Sequence, residues 1–115
     1  MRHVIHADNS EFFRKLMKSY LSEKGLESES FDKGEDAVNA IADGRASFII
    51  TGMELSDMTG EELLKRLMVL QKKTPIIVVT SSDDPAKHKR AMALGAKTII
   101  KKTDDWKSLL GKLLQ

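Results

Sequence analysis

Short apolar runs alternate with longer amphipathic stretches along the whole chain, and the order of the two sets the expected elements. Val4-Ile5-His6-Ala7 reads as a first strand. Phe12, Phe13, Leu16, Met17, Tyr20 and Leu21 then recur at helical spacing until Gly25 stops the helix. Leu26 to Phe31 is short and polar, the composition of an edge strand. A second helix carries Ala37, Val38 and Ile41 and ends near Gly44, and Ser47 to Thr51 reads as a buried strand. Thr59 with Glu62 matches the capping-box pattern, which starts the third helix just after Thr59 and predicts burial of Leu63, Leu64, Leu67 and Met68. Pro75 to Val79 reads as a fully buried strand, and Asp83 or Asp84 before Pro85 announces a fourth helix that Gly95 ends. Lys97 to Lys101 forms the last strand, and Leu109, Leu110, Leu113 and Leu114 stripe a terminal helix. Strictly alternating strands and helices with short connections predict an α/β fold, a parallel sheet covered by helices on both faces.

Composition narrows this picture. The 115 residues are enough for one core, so residues 1–115 are expected to form a single domain. No apolar run approaches a membrane span, and Met1-Arg2-His3-Val4 leads into a strand without the apolar region of a signal peptide. With no cysteine there is no disulfide, thiol nucleophile or thiolate metal site, and the expected compartment is the cytoplasm. The net charge of +2 hides an asymmetry: residues 1–63 hold 7 Lys/Arg against 13 Asp/Glu, whereas 64–115 hold 12 against 4. Such polarity bears on partners rather than on fold.

The candidate chemistry lies at the C-terminal ends of the strands, where parallel α/β sheets bind ligands. Asp8-Asn9-Ser10 follows the first strand, with Arg14 behind it; the loop from Gly52 runs to Met58-Thr59-Gly60; the fourth strand ends in Thr80-Ser81; and Gly95-Ala96 precedes Lys102. In joint spacing these segments make the entire chain resemble the CheY-like receiver domains of two-component response regulators. The resemblance implies a flavodoxin-like (βα)5 three-layer sandwich with strand order 2-1-3-4-5. It also implies a phosphorylation pocket at Asp8, Asn9, Gly52, Glu54, Thr80 and Lys102.

The chain departs from the family at the residues that do the chemistry. In a working receiver an aspartate attacks the phosphoryl donor while Mg²⁺, held by acidic side chains and a loop carbonyl, neutralises developing charge. Here the acceptor position is Gly52, and the second member of the acidic pair is Asn9, a neutral and poorer ligand for a hard cation. Only Asp8, Thr80 and Lys102 keep family residue types. The switching aromatic of many receivers falls at Ile99, and the proline after the lysine is Thr103, which implies a trans Lys102-Thr103 bond. Asp104 stands where receivers often bury a phenylalanine. The expected result is a degenerate pseudo-receiver with no catalytic residue, no cofactor, and Mg²⁺ binding weak or absent.

The remaining candidates divide between function and packing. Glu54, two positions beyond Gly52, is the alternative acceptor, which would make the chain a phosphotransfer-competent regulator; with Asp8 it is also a weak metal candidate. The plainer reading is a solvated glutamate. Lys102, lacking an acceptor, is expected to pair with Asp8. His6, on the same side of its strand as Val4 and Asp8, reads as a hydrogen-bonded core histidine, with a pH sensor as the lesser alternative. His88 reads as a surface residue, and with His3 it makes no metal-ligand spacing. Trp106 lies on the apolar side of the last helix, which favours a core or half-buried place over an exposed anchor for a partner. A basic surface formed by Lys87, Arg90, Lys97 and Lys101, with Trp106 as its candidate anchor, corresponds to the output face of receivers on the fourth helix, fifth strand and fifth helix. It suits a protein partner, acidic or a second copy of the chain, with the acidic half lying toward the opposite sheet edge. A nucleic-acid or nucleotide binder is the lesser alternative, because the patch lacks interleaved aromatics.

Overall fold

The computed structural model describes residues 2–71 and 73–115. Its elements follow in strict alternation: β1 (His3–Ala7), α1 (Glu11–Glu23), β2 (Glu27–Phe31), α2 (Gly34–Ala42), β3 (Phe48–Thr51), α3 (Gly60–Leu70), β4 (Ile76–Thr80), α4 (Pro85–Ala93), β5 (Thr98–Lys101) and α5 (Trp106–Leu113). The sheet is parallel throughout, in the order β2-β1-β3-β4-β5. This is the flavodoxin-like arrangement that the alternation and the resemblance implied.

Local chemistry fixes the helix starts. Ser10, Thr59, Asp84 and Asp105 each cap a helix by accepting a backbone N–H, from Phe13, Glu62, Ala86 and Ser108 respectively. The start of α2 is held differently. The carboxylate of Asp57, from the loop after β3, accepts the N–H groups of Gly34 and Glu35 at 2.7 and 3.1 Å. Slight burial pulls its pKa up, but those two bonds, its own N–H and nearby Lys33 outweigh this and hold the carboxyl below its ordinary range. Twenty-three residues separate Asp57 from Gly34, so no local pattern announces this cap.

Alternation of side chains along each strand divides the core into two layers. Val4, Ile50, Ile77, Val79 and Ile100 face α1 and α5 and pack with Phe13, Met17, Tyr20, Trp106 and Leu110. Ile5, Ala7 and Ile49 face α2 and α3, and Val78 packs with Leu64 and Ala91 beneath α3 and α4. Three positions expected on buried stripes lie outside them. Phe12, Met68 and Leu109 are 76%, 55% and 40% exposed. In each helix the buried face is set by its neighbours, Phe13 and Met17, Leu64 and Leu67, or Trp106 and Leu110. The next position is turned about 100° around the axis, to the flank of the stripe. Pro75 and Lys97 precede their strands instead of opening them, and β4 is buried except at half-buried Ile76.

Candidate functional site

Because β1, β3, β4 and β5 run parallel, the residues after their last positions meet at one end of the sheet. The result is a cleft of about 270 Å³ that brings together Asp8, Asn9, Gly52, Glu54, Thr80 and Lys102, with Ser81 beside them. All six pocket positions read from the sequence are therefore neighbours.

Asp8 is the centre of the arrangement. It is buried, its Oδ1 accepts the Ser10 N–H at 2.9 Å, and its Oδ2 lies 2.9 Å from Lys102 Nζ. The lysine contact has the distance of an ion pair without the alignment of a hydrogen bond, since Oδ2 has no hydrogen-bond partner. Lys102 is fixed from two further sides. Its ammonium sits 4.1 Å from the Phe13 ring centroid, a cation–π contact, and its backbone N–H donates to Thr80 O at 2.7 Å. Arg14 reaches back from α1 to donate to the Asp8 main-chain carbonyl at 2.8 Å. Thr80 Oγ1 accepts the Ser82 N–H at 3.0 Å.

The space at Gly52 is already taken. A Cβ built there would lie 2.8 Å from Asp8 Oδ2, closer than Cβ atoms approach, and a tight 3.2 Å from its Cγ, so the Asp8 side chain would have to shift. The Asp8 carboxylate therefore lies against the bare Cα of Gly52, where an acceptor side chain would begin. Gly60 is needed for a different reason. A Cβ there would be 2.5 Å from Gly52 O and 2.8 Å from Met53 Cα, so the two ends of the loop touch backbone to backbone. A hydrogen bond from Gly60 N to Met53 O, 2.8 Å, ties them.

Glu54 is exposed at the rim. Its carbonyl accepts the Asn9 N–H at 3.2 Å, and it forms an antiparallel bridge with Thr59. The donors available for a divalent cation are thus a buried carboxylate already paired with lysine, a neutral amide and an exposed glutamate. Among the described residues no group of three His, Cys, Asp or Glu is placed to hold a metal. This set offers Mg²⁺ one lysine-paired carboxylate, an amide oxygen and a rim glutamate, a weaker combination than two adjacent free carboxylates.

His6 corrects one expectation. It is buried as expected, edge-on to Phe13 at 5.9 Å, but neither ring nitrogen has a hydrogen-bond partner. Its partners across the sheet, Ser30 and Ile50, are held in the ladder, and the Phe13 ring lies against it. Burial lowers its pKa from 6.5 to about 4; Asp8 opposes the shift, while Lys102 and Arg14 add to it.

Trp106 is also placed by the structure. At 8% exposure it packs edge-on to Phe13 at 5.2 Å and to Tyr20 at 5.4 Å, so it belongs to the core and offers no surface anchor. Asp104, by contrast, is exposed, so the bulk on this side comes from Trp106. Ile99 packs with the aliphatic cluster under α4, and no peptide bond among the described residues is cis, Lys102-Thr103 included.

Lys87 and Arg90 lie on α4, Lys97 in the loop after it and Lys101 at the far end of β5, and they are not equally free. Arg90 Nε is 2.6 Å from Glu61 and Lys101 Nζ is 3.5 Å from Asp83, while Lys87 and Lys97 form no ion pair among the described residues. Sequence patterns missed the role of Phe13 as the platform for Lys102. Its helical spacing marked it as core, and no local signal distinguishes a core ring from one with a cation above it.

Comparison with known proteins gives one answer. The family model described as response regulator receiver domain matches residues 4–114. The transcriptional regulatory protein GltR of Pseudomonas aeruginosa is 29% identical over 114 residues, covering 97% of this chain and 47% of GltR. A protein-glutamate methylesterase/protein-glutamine glutaminase of Anaeromyxobacter dehalogenans is 33% identical over 101 residues, 86% of this chain and 29% of the enzyme. The chain thus spans about half the length, or less, of these relatives. Among solved structures, the chemotaxis protein CheY4 of Vibrio cholerae superposes with a TM-score of 0.86 at 29% identity, covering 99% of this chain and 97% of CheY4. The activated receiver domain of Klebsiella pneumoniae RstA shares the fold with a TM-score of 0.90 at 23% identity, covering 98% and 96%.

Proposed function

The chain belongs to the response regulator receiver family, and within that family we propose that it is a pseudo-receiver that signals without being phosphorylated. The observation that carries this reading is the Asp8 carboxylate lying against Gly52 and paired with Lys102. Phosphoryl transfer in this cleft needs a nucleophile, a charge-neutralising cation and a free lysine. Gly52 supplies no nucleophile. Asn9 and the committed Asp8 are poor ligands for the cation, and Lys102 already has a counter-ion. No catalytic residue is assigned.

Its output is contact with another protein through α4, β5 and α5. The thin anchoring of α4, which buries Ala91 alone, and the unpaired Lys87 and Lys97 support an acidic partner or a second copy of the chain. The absence of cysteine accords with a cytoplasmic place of action. A second reading keeps phosphotransfer with Glu54 as acceptor, favoured by its position at the rim of the same cleft. Incubation with a small phosphodonor and Mg²⁺, followed by intact-mass measurement, separates the two: no adduct is expected, and a stoichiometric acid-labile phosphate on Glu54 would overturn the proposal. A nucleic-acid or nucleotide-binding role has no comparable observation in its favour.

A further inference from the structure

The charge asymmetry has two components in the fold. Within the elements it runs across the sheet, from β2 and α2, which hold Glu27, Glu29, Glu35 and Asp36, to α4 with Lys87, Lys89 and Arg90. Within the loops it runs along the strands. The loops that follow strands include Glu54, Asp57, Asp83, Asp84, Asp104 and Asp105, and their only cations are Lys33 and Lys102. In the loops that follow helices the only carboxylate is Asp43, against Lys24, Arg45, Lys73 and Lys97 among others. One end of the sheet is therefore acidic and the other basic.

Each end also carries apolar surface that nothing among the described residues covers. At the basic end α3 finishes with Met68 and Val69, the latter 80% exposed. Beside them lies a groove of about 280 Å³ floored by Pro75, Ile76 and Leu94 and rimmed by Lys73 and Lys97. At the acidic end Phe12 projects from the first turn of α1 next to Glu11.

We infer that copies of this chain associate head to tail along the strand axis, the acidic, Phe12-bearing end of one copy seated on the basic, apolar-floored end of the next. The two surfaces differ, so the contact is heterologous and, where the rotation does not close a ring, it extends into open chains. Its electrostatic part is exposed and screened by salt, so association belongs to low ionic strength. This contact shares Lys97 with the face on α4 and β5 proposed for a partner, and it uses neither Lys87, Arg90 nor Lys101.

Sedimentation velocity of the full chain tests it. At about 20 mM NaCl the weight-average mass rises with concentration past that of a dimer, and at about 500 mM it returns to the 12.9 kDa monomer. Glu11→Lys with Asp104→Lys, or Lys24→Glu with Lys73→Glu, leaves a monomer at low salt. An equimolar mixture of the two variants associates again, because each reversed end now complements the other; this recovery also shows that both variants are folded. A wild-type chain that stays monomeric at low salt overturns the inference. So does a mass that stops at a dimer whatever the concentration, or a mixture that fails to associate.

Discussion

Helix α1 and helix α4 are held to the sheet in opposite ways. α1 buries Phe13, Met17, Tyr20 and Leu21, and its Phe13 ring supports Lys102, His6 and Trp106 at once. α4 buries only Ala91 and presents lysines and arginine to solvent. The residues that the chain shares with working receivers are thus fixed to the rigid side, while the side proposed for output is the thinly packed one. The scaffold around Lys102 is firmly packed and the outward helix is loosely tied, which suits the surface-based output proposed above.

This contrast can be broken at several strengths. Phe13→Ala removes a ring that serves three neighbours and is expected to cost about 3–5 kcal/mol in denaturant unfolding; a cost under 1 kcal/mol would mean that α1 is no better anchored than α4. The next effect is that of pH on His6. Its folded pKa, about 4, lies below the unfolded value of 6.5, so the unfolded state takes up the proton first as pH falls. The stability that the neutral buried ring contributes is complete above pH 6.5 and is lost between 6.5 and about 4, by about 3 kcal/mol. His6→Phe should flatten that part of the profile relative to the wild type, and an unchanged slope there would refute the assignment.

Lys102→Met leaves Asp8 buried beside Gly52 without its cation, at an expected cost of about 1–3 kcal/mol. Adding Asp8→Asn should recover most of the loss, whereas additive costs would show that the pair is not coupled. The smallest effect on stability is expected on α4 and β5. Lys87→Glu, Arg90→Glu and Lys101→Glu together remove only exposed ion pairs, worth about 1 kcal/mol or less each. The same triple variant is expected to abolish capture of an acidic protein partner, and retained capture would move the interface elsewhere.

How much of this was legible before the structure depended on the range of each interaction. Strand and helix order was readable because it follows periods of 2 and 3.6 within a few residues, and Asp8, Gly60, Thr80 and Lys102 fixed the family register. The Asp8–Lys102 pair was foreseen from the missing acceptor. Phe12, Met68 and Leu109 misled because a helical stripe read from sequence is wider than the face that the neighbouring elements cover. His6 misled because its lack of partners is a property of what surrounds it. The cap that Asp57 places on α2, and the rotamer that carries Asp8 over Gly52, join segments distant in sequence and leave no local mark.

The contact between Asp8 and Gly52 also bears on whether the change can be undone. A single return to aspartate at 52 would bring its Cβ into a carboxylate held by Ser10 and Lys102 and put two negative charges around one lysine, with Asn9 in place of the acid that would help draw in a neutralising cation. On the pseudo-receiver reading, return to a phosphoacceptor therefore takes coordinated change at Gly52, Asn9 and the Asp8 side chain rather than a single substitution.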